Sequence, residues 1–217
     1  TTALGLLVDE GVVDWDSPVR TFMPEFRMFD SGASEKVCLR DMACHRTGLP
    51  RYDLMLFNPV FTRKDILDRL RYLKPTKELR ASMQYNNLMV AAMGDIIRRV
   101  SGLTWEEFVR QRLLTPLGMT NSSFDCDEIL SAPDHAWPHK EVDGKISRID
   151  FMSIGATGPA GSINASVKDM AKWLKFNLDL GKVEDKQVVA ESTIKEIHSR
   201  HIPMRGMGDE EGLQQGN

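Results

Sequence analysis

Three scarcities in the 217-residue sequence exclude whole classes of protein. Only Cys38, Cys44 and Cys126 carry thiols, too few and too unevenly spaced for a disulfide scaffold. The longest apolar stretches, such as Leu88 to Gly94, are far shorter than the roughly 18–20 residues that cross a bilayer. Neither charge sign dominates, because 28 Lys and Arg oppose 31 Asp and Glu for a net charge of −3. No membrane segment and no nucleic-acid partner are therefore predicted.

The composition that remains is that of an ordinary globular protein. Hydrophobic residues make up 41% and charged residues 27% of the sequence, and its length corresponds to one or two domains. Asn121 and Asn164 each begin an Asn-x-Ser glycosylation pattern, which suggests a secreted or periplasmic-like protein only weakly because so short a pattern recurs by chance. Localisation, oligomeric state and thiol redox state stay open.

The chain is predicted to be mostly helical. Leu88 to Val100 repeats apolar residues at helical spacing and stops at Gly102. Strand signals are confined to Val12-Val13, Val37 to Leu39 and Lys145 to Met152. Four further helix starts are marked by a Ser or Thr that an acid follows three residues later. These pairs are Thr62 with Asp65, Thr104 with Glu107, Ser166 with Asp169, and Thr193 with Glu196.

Neither end of the sequence has the pattern of a complete secondary-structure element. Thr1 to Gly11 carries Ala3, Leu6 and Leu7 on one helical face, with no polar cap before it. Arg205 to Gly212 has no apolar period. We therefore expect an internal fragment of a larger protein.

The sharpest chemical feature is Tyr85-Asn86-Asn87, directly before the best-formed predicted helix. A phenol takes a proton from a serine hydroxyl at neutral pH only where a nearby cation favours the phenolate. The amide of Asn87 offers a donor and an acceptor to a substrate carbonyl or amide. The competing interpretation is that Tyr85 is an aromatic at the edge of the core and Asn87 a helix N-cap.

Five segments in order resemble the serine β-lactamase and penicillin-binding-protein superfamily, specifically its class C-like branch. The similarity covers about residues 1–180, and the order and spacing of the segments make it specific. The segments are TTALGLLVDEGVVDWDSPVRTFMPEF at 1–26, LRDMACHRTGLPRYD at 39–53, Tyr85-Asn86-Asn87 at the family's Tyr-x-Asn motif, LLTPLGMTNSSF at 113–124, and GPAGSINASVKDMAKWL at 158–174.

The resemblance implies an α/β (α+β) fold of the β-lactamase/transpeptidase-like type, here mostly its helical subdomain with an incomplete antiparallel sheet. Residues 1–217 are expected to form one β-lactamase-related domain truncated at both ends. Within it, residues 1–50 begin the α/β part, 51–150 form mainly the helical subdomain, and 151–217 return toward the sheet.

The function implied by the resemblance is serine acyl transfer to water on an amide, β-lactam or ester, without a cofactor. The substrate is a small molecule or peptide. Tyr85 acts as, or shares the role of, general base and later general acid, and Asn87 binds the amide side of the substrate. The family's Ser-x-x-Lys is expected before Thr1. No Lys/His-Thr-Gly triplet follows the Pro-Ala-Gly segment, so the fragment itself is expected to be inactive.

Histidines and one turn offer weaker candidates. His135 and His139 have the spacing of a zinc helix, but Pro138 separates them, so no metal site is predicted. His45 is interpreted as structural, bridging backbone groups. Gly158 to Ser162 is predicted as a structural turn, with substrate contact as the alternative.

Two rival functions stay open. A relative without catalytic activity would keep Tyr85 for packing and act as a binding or scaffold protein. An unrelated helical interaction protein would carry the five similarities by coincidence, and the substitution Tyr85→Phe would then change no activity.

Overall fold

The computed structural model describes residues 1–55 and 60–204. The C-terminal pattern from Arg205 therefore lies outside the described residues. The α-helices are α1 (Thr2–Asp9), α2 (Ser31–Lys36), α3 (Leu39–Ala43), α4 (Arg63–Arg69), α5 (Asn87–Ser101), α6 (Trp105–Val109), α7 (Cys126–Ser131), α8 (Val167–Leu178) and α9 (Glu191–Ile197).

Short antiparallel ladders complete the described structure. The strands are β1 (Ser122–Ser123), β2 (His139–Val142), β3 (Lys145–Arg148), β4 (Asn164–Ala165), β5 (Lys182–Val183) and β6 (Lys186–Gln187). They pair as β1 with β4, β2 with β3, and β5 with β6, all antiparallel. The described residues thus hold three separate two-stranded sheets among many helices, in keeping with a helical subdomain and an incomplete sheet.

Local capping chemistry sets the start of several helices as predicted. The Thr62 and Thr104 side chains accept N–H groups three residues on, and the acids there reach back to the cap, which forms two complete capping boxes. Ser166 caps α8 by accepting the N–H of Asp169, whose carboxylate bonds Asn121 and Ser122 instead of reaching back to the cap. Gly102 ends α5 in the left-handed conformation, φ +75°, as expected of a C-terminal glycine.

The start of α9 differs from the prediction. This helix begins at Glu191, two residues before the expected cap Thr193, and its N-cap Ala190 has no side chain that could accept a hydrogen bond. Instead, the carboxylate of Asp9 on α1 accepts the Ala190 N–H at 2.7 Å and the Thr193 hydroxyl. A distant acid therefore replaces the local cap and docks α9 on α1.

Two of the three predicted strands are wrong. Val12 and Val13 lie in an irregular segment, and Leu39 begins α3. Val37 and Cys38 are extended, but Cys38 forms only an isolated bridge with Pro18. The third strand forms as β3, which ends at Arg148. Short apolar runs without alternation do not distinguish a strand from a buried connection, which explains these errors.

The core is centred on α1 and α5. Residues 2–7 of α1 are all buried, so this helix is covered on every side rather than on the one predicted face. Residues 88–97 of α5 are buried except Val90. No helix within residues 1–55 and 60–204 is long and apolar enough to span a membrane.

Candidate active site

Tyr85 lies in the extended segment that enters α5, with its side chain partly open to solvent at 40% exposure. Its ring centroid is 4.4 Å from that of His45, at an interplanar angle of 38°. The guanidinium carbon of Arg51 lies 5.1 Å from the same tyrosine centroid. The predicted catalytic phenol is thus partly accessible and has an imidazole and a cation close to its ring, two neighbours that sequence reasoning did not identify.

Main-chain hydrogen bonds hold Tyr85 in place. They join residues 44–50, here called the support segment, to residues 76–86, called the tyrosine segment. In each, an N–H of the tyrosine segment donates to a carbonyl of the support segment: Thr76 to Gly48 at 3.0 Å, Arg80 to Arg46 at 2.7 Å, and Gln84 to His45 at 2.7 Å. The tyrosine segment therefore follows the course of the support segment.

Gly48 is required by the close approach of these two segments. Its φ is +81°, a left-handed conformation that side chains disfavour. A Cβ at this position would lie 2.2 Å from the carbonyl oxygen of Lys77. The Arg-Thr-Gly triplet at 46–48 therefore lets the backbones come together next to the tyrosine.

Asn86, rather than Asn87, caps α5. Its Oδ1 accepts the N–H of Met89 at 3.0 Å, and its Nδ2 donates to the carbonyl of Pro50. The alternative interpretation of Asn87 as the N-cap is therefore wrong. Counting back three residues from Met89, the first residue of the apolar repeat, identifies Asn86 from sequence.

Asn87 is the first residue of α5 and leaves its side-chain oxygen unused. This Oδ1 is inaccessible to solvent and has no hydrogen-bond partner among the described residues. Buried acceptors without a partner are uncommon in native proteins. The atom is therefore available to accept a hydrogen bond from a group that these residues do not provide.

A buried ion cluster links the support segment to the tyrosine segment. The Asp41 carboxylate is fully buried and accepts from Arg46 Nε at 2.7 Å, from Arg80 Nη2 at 2.9 Å and from the Cys38 N–H at 3.1 Å. Burial alone would raise the pKa of Asp41, but the hydrogen bonds from Arg80 and Arg46 outweigh it and hold the pKa below its usual value. Asp41 is therefore a carboxylate that fixes one arginine of each segment.

The Gly158 to Ser162 turn packs directly on α5. A Cβ at Gly94 would lie 2.2 Å from Pro159 Cγ, so only glycine at this helix position accommodates the proline ring. Ser162 is buried, and its Oγ has no partner among the described residues. The packing supports a structural turn, and the free hydroxyl leaves the predicted alternative of substrate contact open.

The other histidines do not converge. His135 Nδ1 bonds the Ala132 carbonyl at 2.9 Å, and His139 Nδ1 bonds that of Trp137 at 2.9 Å. No group of three metal-ligating side chains occurs within the described part of the chain. The imidazole of His201 lies by Arg40 instead.

Ser192 and Lys195 have the Ser-x-x-Lys spacing that the resemblance places elsewhere. They lie on α9, which follows the Pro-Ala-Gly segment instead of preceding Tyr85. Ser192 is exposed, and the ammonium of Lys195 pairs with Glu191 on the same surface. An ammonium that activates a serine is desolvated, so this pair lacks the environment of a nucleophile and its base.

Comparisons with known proteins identify the family. A sequence model of the beta-lactamase family matches residues 1–213. The chain is 26% identical over 203 residues to Beta-lactamase-like protein 2 of Dictyostelium discoideum, covering 89% of this chain and 36% of that protein. It is 27% identical over 172 residues to Gigasin-6 of Magallana gigas, covering 76% and 57% respectively. The chain thus spans about a third to just over half of these curated relatives.

Solved structures show the same fold. The octameric penicillin-binding protein homologue from Pyrococcus abyssi superposes with a TM-score of 0.77 at 26% identity, over 89% of this chain and 45% of that one. The D-amino acid amidase from Ochrobactrum anthropi SV3, complexed with D-phenylalanine, gives a TM-score of 0.71 at 22% identity, over 90% and 56%. The expected β-lactamase/transpeptidase-like fold is therefore confirmed.

Proposed function

Because the chain belongs to the beta-lactamase family, we propose that the full-length protein is a serine hydrolase. It transfers the acyl group of an amide, β-lactam or ester to water through a covalent seryl ester. Relatives of this chain include beta-lactamase-like proteins and an unguisins hydrolase, which supports hydrolysis as the general class. Residues 1–217 form one β-lactamase-related domain in this proposal.

Tyr85 is the general base and general acid of the proposed reaction. As the serine oxygen bonds to the substrate carbonyl carbon, Tyr85, acting as the phenolate, takes the hydroxyl proton and becomes a neutral phenol. When the bond to the leaving nitrogen or oxygen breaks, the same proton passes to that atom. Water then attacks the ester with the roles reversed, which releases the acid and restores the serine hydroxyl.

The observation that carries this proposal is the fixed but accessible position of Tyr85. Its backbone neighbours are both hydrogen-bonded to His45, and the residue is 40% exposed. A base must reach the proton it removes in a defined geometry, so a tyrosine held in this way suits proton transfer.

Asn87 is proposed to bind the amide side of the substrate. Its buried Oδ1 has no partner among the described residues and could accept an amide N–H. The 217 residues alone are proposed to be inactive, because they hold neither a Ser-x-x-Lys before Tyr85 nor a Lys/His-Thr-Gly triplet after the Pro-Ala-Gly segment.

The test is the substitution Tyr85→Phe in the full-length protein. Loss of the proton carrier should lower turnover of the best substrate at least about 100-fold while folding is retained. Tyr72→Phe, at a tyrosine that is 72% exposed, is the matched control and should leave turnover unchanged. Steady-state rates are measured on a chromogenic β-lactam, D-amino-acid amides and simple esters.

Two outcomes would contradict the proposal. Unchanged turnover in folded Tyr85→Phe would remove the role of the phenol. Absence of turnover by the wild-type protein on every substrate of the panel would favour a β-lactamase-like binding or scaffold protein instead.

A further inference from the structure

His45 contacts three consecutive residues of the tyrosine segment. Its carbonyl accepts the Gln84 N–H at 2.7 Å, its Nδ1 accepts the Asn86 N–H at 3.1 Å, and its ring lies on that of Tyr85. One side chain and its own backbone thereby fix the residues before and after the tyrosine as well as the tyrosine ring.

The backbone of His45 is itself in an unusual conformation. Its φ is +55°, in the left-handed region, where non-glycine residues are rare and histidine is among the more tolerant. The strain is retained because the His45 N–H also bonds the Met42 carbonyl at the end of α3. This turn directs the imidazole from α3 toward Tyr85.

The hydrogen bond to Asn86 requires a neutral imidazole. Nδ1 can accept an N–H only while it carries no proton, so Nε2 is the protonated nitrogen. Burial lowers the pKa of His45 below its usual value, which keeps the ring neutral at physiological pH.

Several ionisable groups lie near His45. The Tyr85 ring contacts the imidazole, and the Arg51 guanidinium, which pairs with Asp53, lies 5.1 Å from the centroid of that tyrosine. Within the support segment the neighbours are the Cys44 thiol and Arg46, whose guanidinium is bound to Asp41.

We propose that His45 is a positioning residue for Tyr85, holding the tyrosine backbone and ring through its neutral imidazole and releasing both when it gains a proton at acid pH. This inference rests on the proposed function of Tyr85. A protonated Nδ1 carries its own N–H and can no longer accept the Asn86 N–H. This hydrogen bond would therefore be lost. The tyrosine would then sample orientations from which proton transfer is slow.

Three variants of the full-length protein distinguish a role of His45 in positioning Tyr85 from a role in stabilising the fold alone. His45→Ala removes the acceptor and the ring, and kcat should fall between about tenfold and a hundredfold with KM little changed. His45→Asn keeps an acceptor oxygen near the position of Nδ1 and tolerates positive φ, so it should recover most of that loss. His139→Ala, on the exposed hairpin of β2 and β3, is the control and should keep wild-type kcat.

The pH dependence of kcat is the second readout. A histidine that only stabilised the fold would not affect it. In the wild-type protein kcat should fall as the pH drops through the titration of His45. In His45→Asn, that part of the acid limb should disappear because asparagine does not titrate. Hydrogen exchange of the Asn86 amide should accelerate at acid pH in the wild-type protein and at all pH values in His45→Ala.

The outcomes are distinct from those of the proposed function. Equal kcat in wild-type, His45→Ala and His45→Asn proteins, or an identical acid limb with asparagine present, would overturn the positioning role. If Tyr85→Phe retains wild-type turnover, the proposed function fails, and positioning for catalysis fails with it. Hydrogen exchange of the Asn86 amide would still show whether His45 holds the tyrosine segment in place.

Discussion

The buried polar residues beside Tyr85 differ sharply from the outer segment, here the β2–β3 hairpin and helix α8, in how far their side chains are exposed and hydrogen-bonded. Around Tyr85, the buried Asp41 and Asn86 have several partners each. In the outer segment, every residue of β2 and β3 is exposed. Helix α8 exposes a row of apolar side chains at helical spacing: Val167 at 84%, Met170 at 42%, Leu174 at 61% and Leu178 at 81%.

The contrast shows which part of the fold holds its side chains in a defined position. Hydrogen bonds from two directions leave the tyrosine segment few alternative conformations, which is the condition for precise proton transfer. In the outer segment, α8 is held by its Ser166 cap and by the buried Asp169 carboxylate, which accepts the Asn121 N–H at 2.7 Å and the Ser122 hydroxyl at 2.9 Å. The energetic cost of substitutions should therefore differ between the two regions.

The largest expected effect is at the buried ion cluster. Asp41→Asn leaves Arg46 and Arg80 without their carboxylate and should lower the free energy of unfolding by about 3 kcal/mol. Asp68→Asn removes one partner of an exposed pair with Lys64 and should cause no measurable change. Denaturant unfolding of both variants measures the difference, and equal effects would break the comparison.

The contact between α5 and the Pro159 turn should give an intermediate effect. Gly94→Ala forces a Cβ into the proline ring and should destabilise the protein by about 2 kcal/mol. Gly32→Ala in α2 meets only the Asp30 carboxylate at 3.2 Å and should change stability by less than about 1 kcal/mol. Thermal unfolding reports both. A stable Gly94→Ala protein with a raised KM would show that the turn contacts substrate rather than supporting α5.

The smallest expected effect is the cap of α8. Ser166→Ala removes the acceptor for the Asp169 N–H and should cost about 1 kcal/mol. Ser192→Ala, at an exposed position of α9, should change neither stability nor turnover. Loss of turnover in Ser192→Ala would contradict the exclusion of Ser192 as a nucleophile, and is checked by steady-state kinetics on the same panel.

Much of the fold is predictable from interactions between residues close in sequence. The features that depend on contacts between distant residues are not. The capping pairs at Thr62, Thr104 and Ser166 act within three residues, so the sequence pattern contains them completely. The cap of α9 comes from Asp9, 181 residues before Ala190, and no local pattern indicates it. The exposed face of α8 could not be predicted either, because its periodicity identifies a helix face but not its partner.

The candidate site divides in the same way. Tyr85 and Asn87 were singled out by their motif and their place before a helix, and their catalytic roles stay predictions. The ring contacts of His45 and Arg51, and the pairing of Asp41 with Arg80, depend on the fold bringing distant residues together. The capping rule alone identifies Asn86, because its Oδ1 bonds the N–H three residues on.

The most direct test of the central claim is the rate of acyl-enzyme formation. The full-length protein is mixed with a p-nitrophenyl ester, and the first turnover is followed by intact mass and by p-nitrophenolate release. The account predicts that the wild-type protein and Tyr72→Phe gain one acyl group on a serine, and that Tyr85→Phe does so at least about 100-fold more slowly. Equal rates in the Tyr85→Phe and wild-type proteins, or no serine adduct in the wild type, would contradict it.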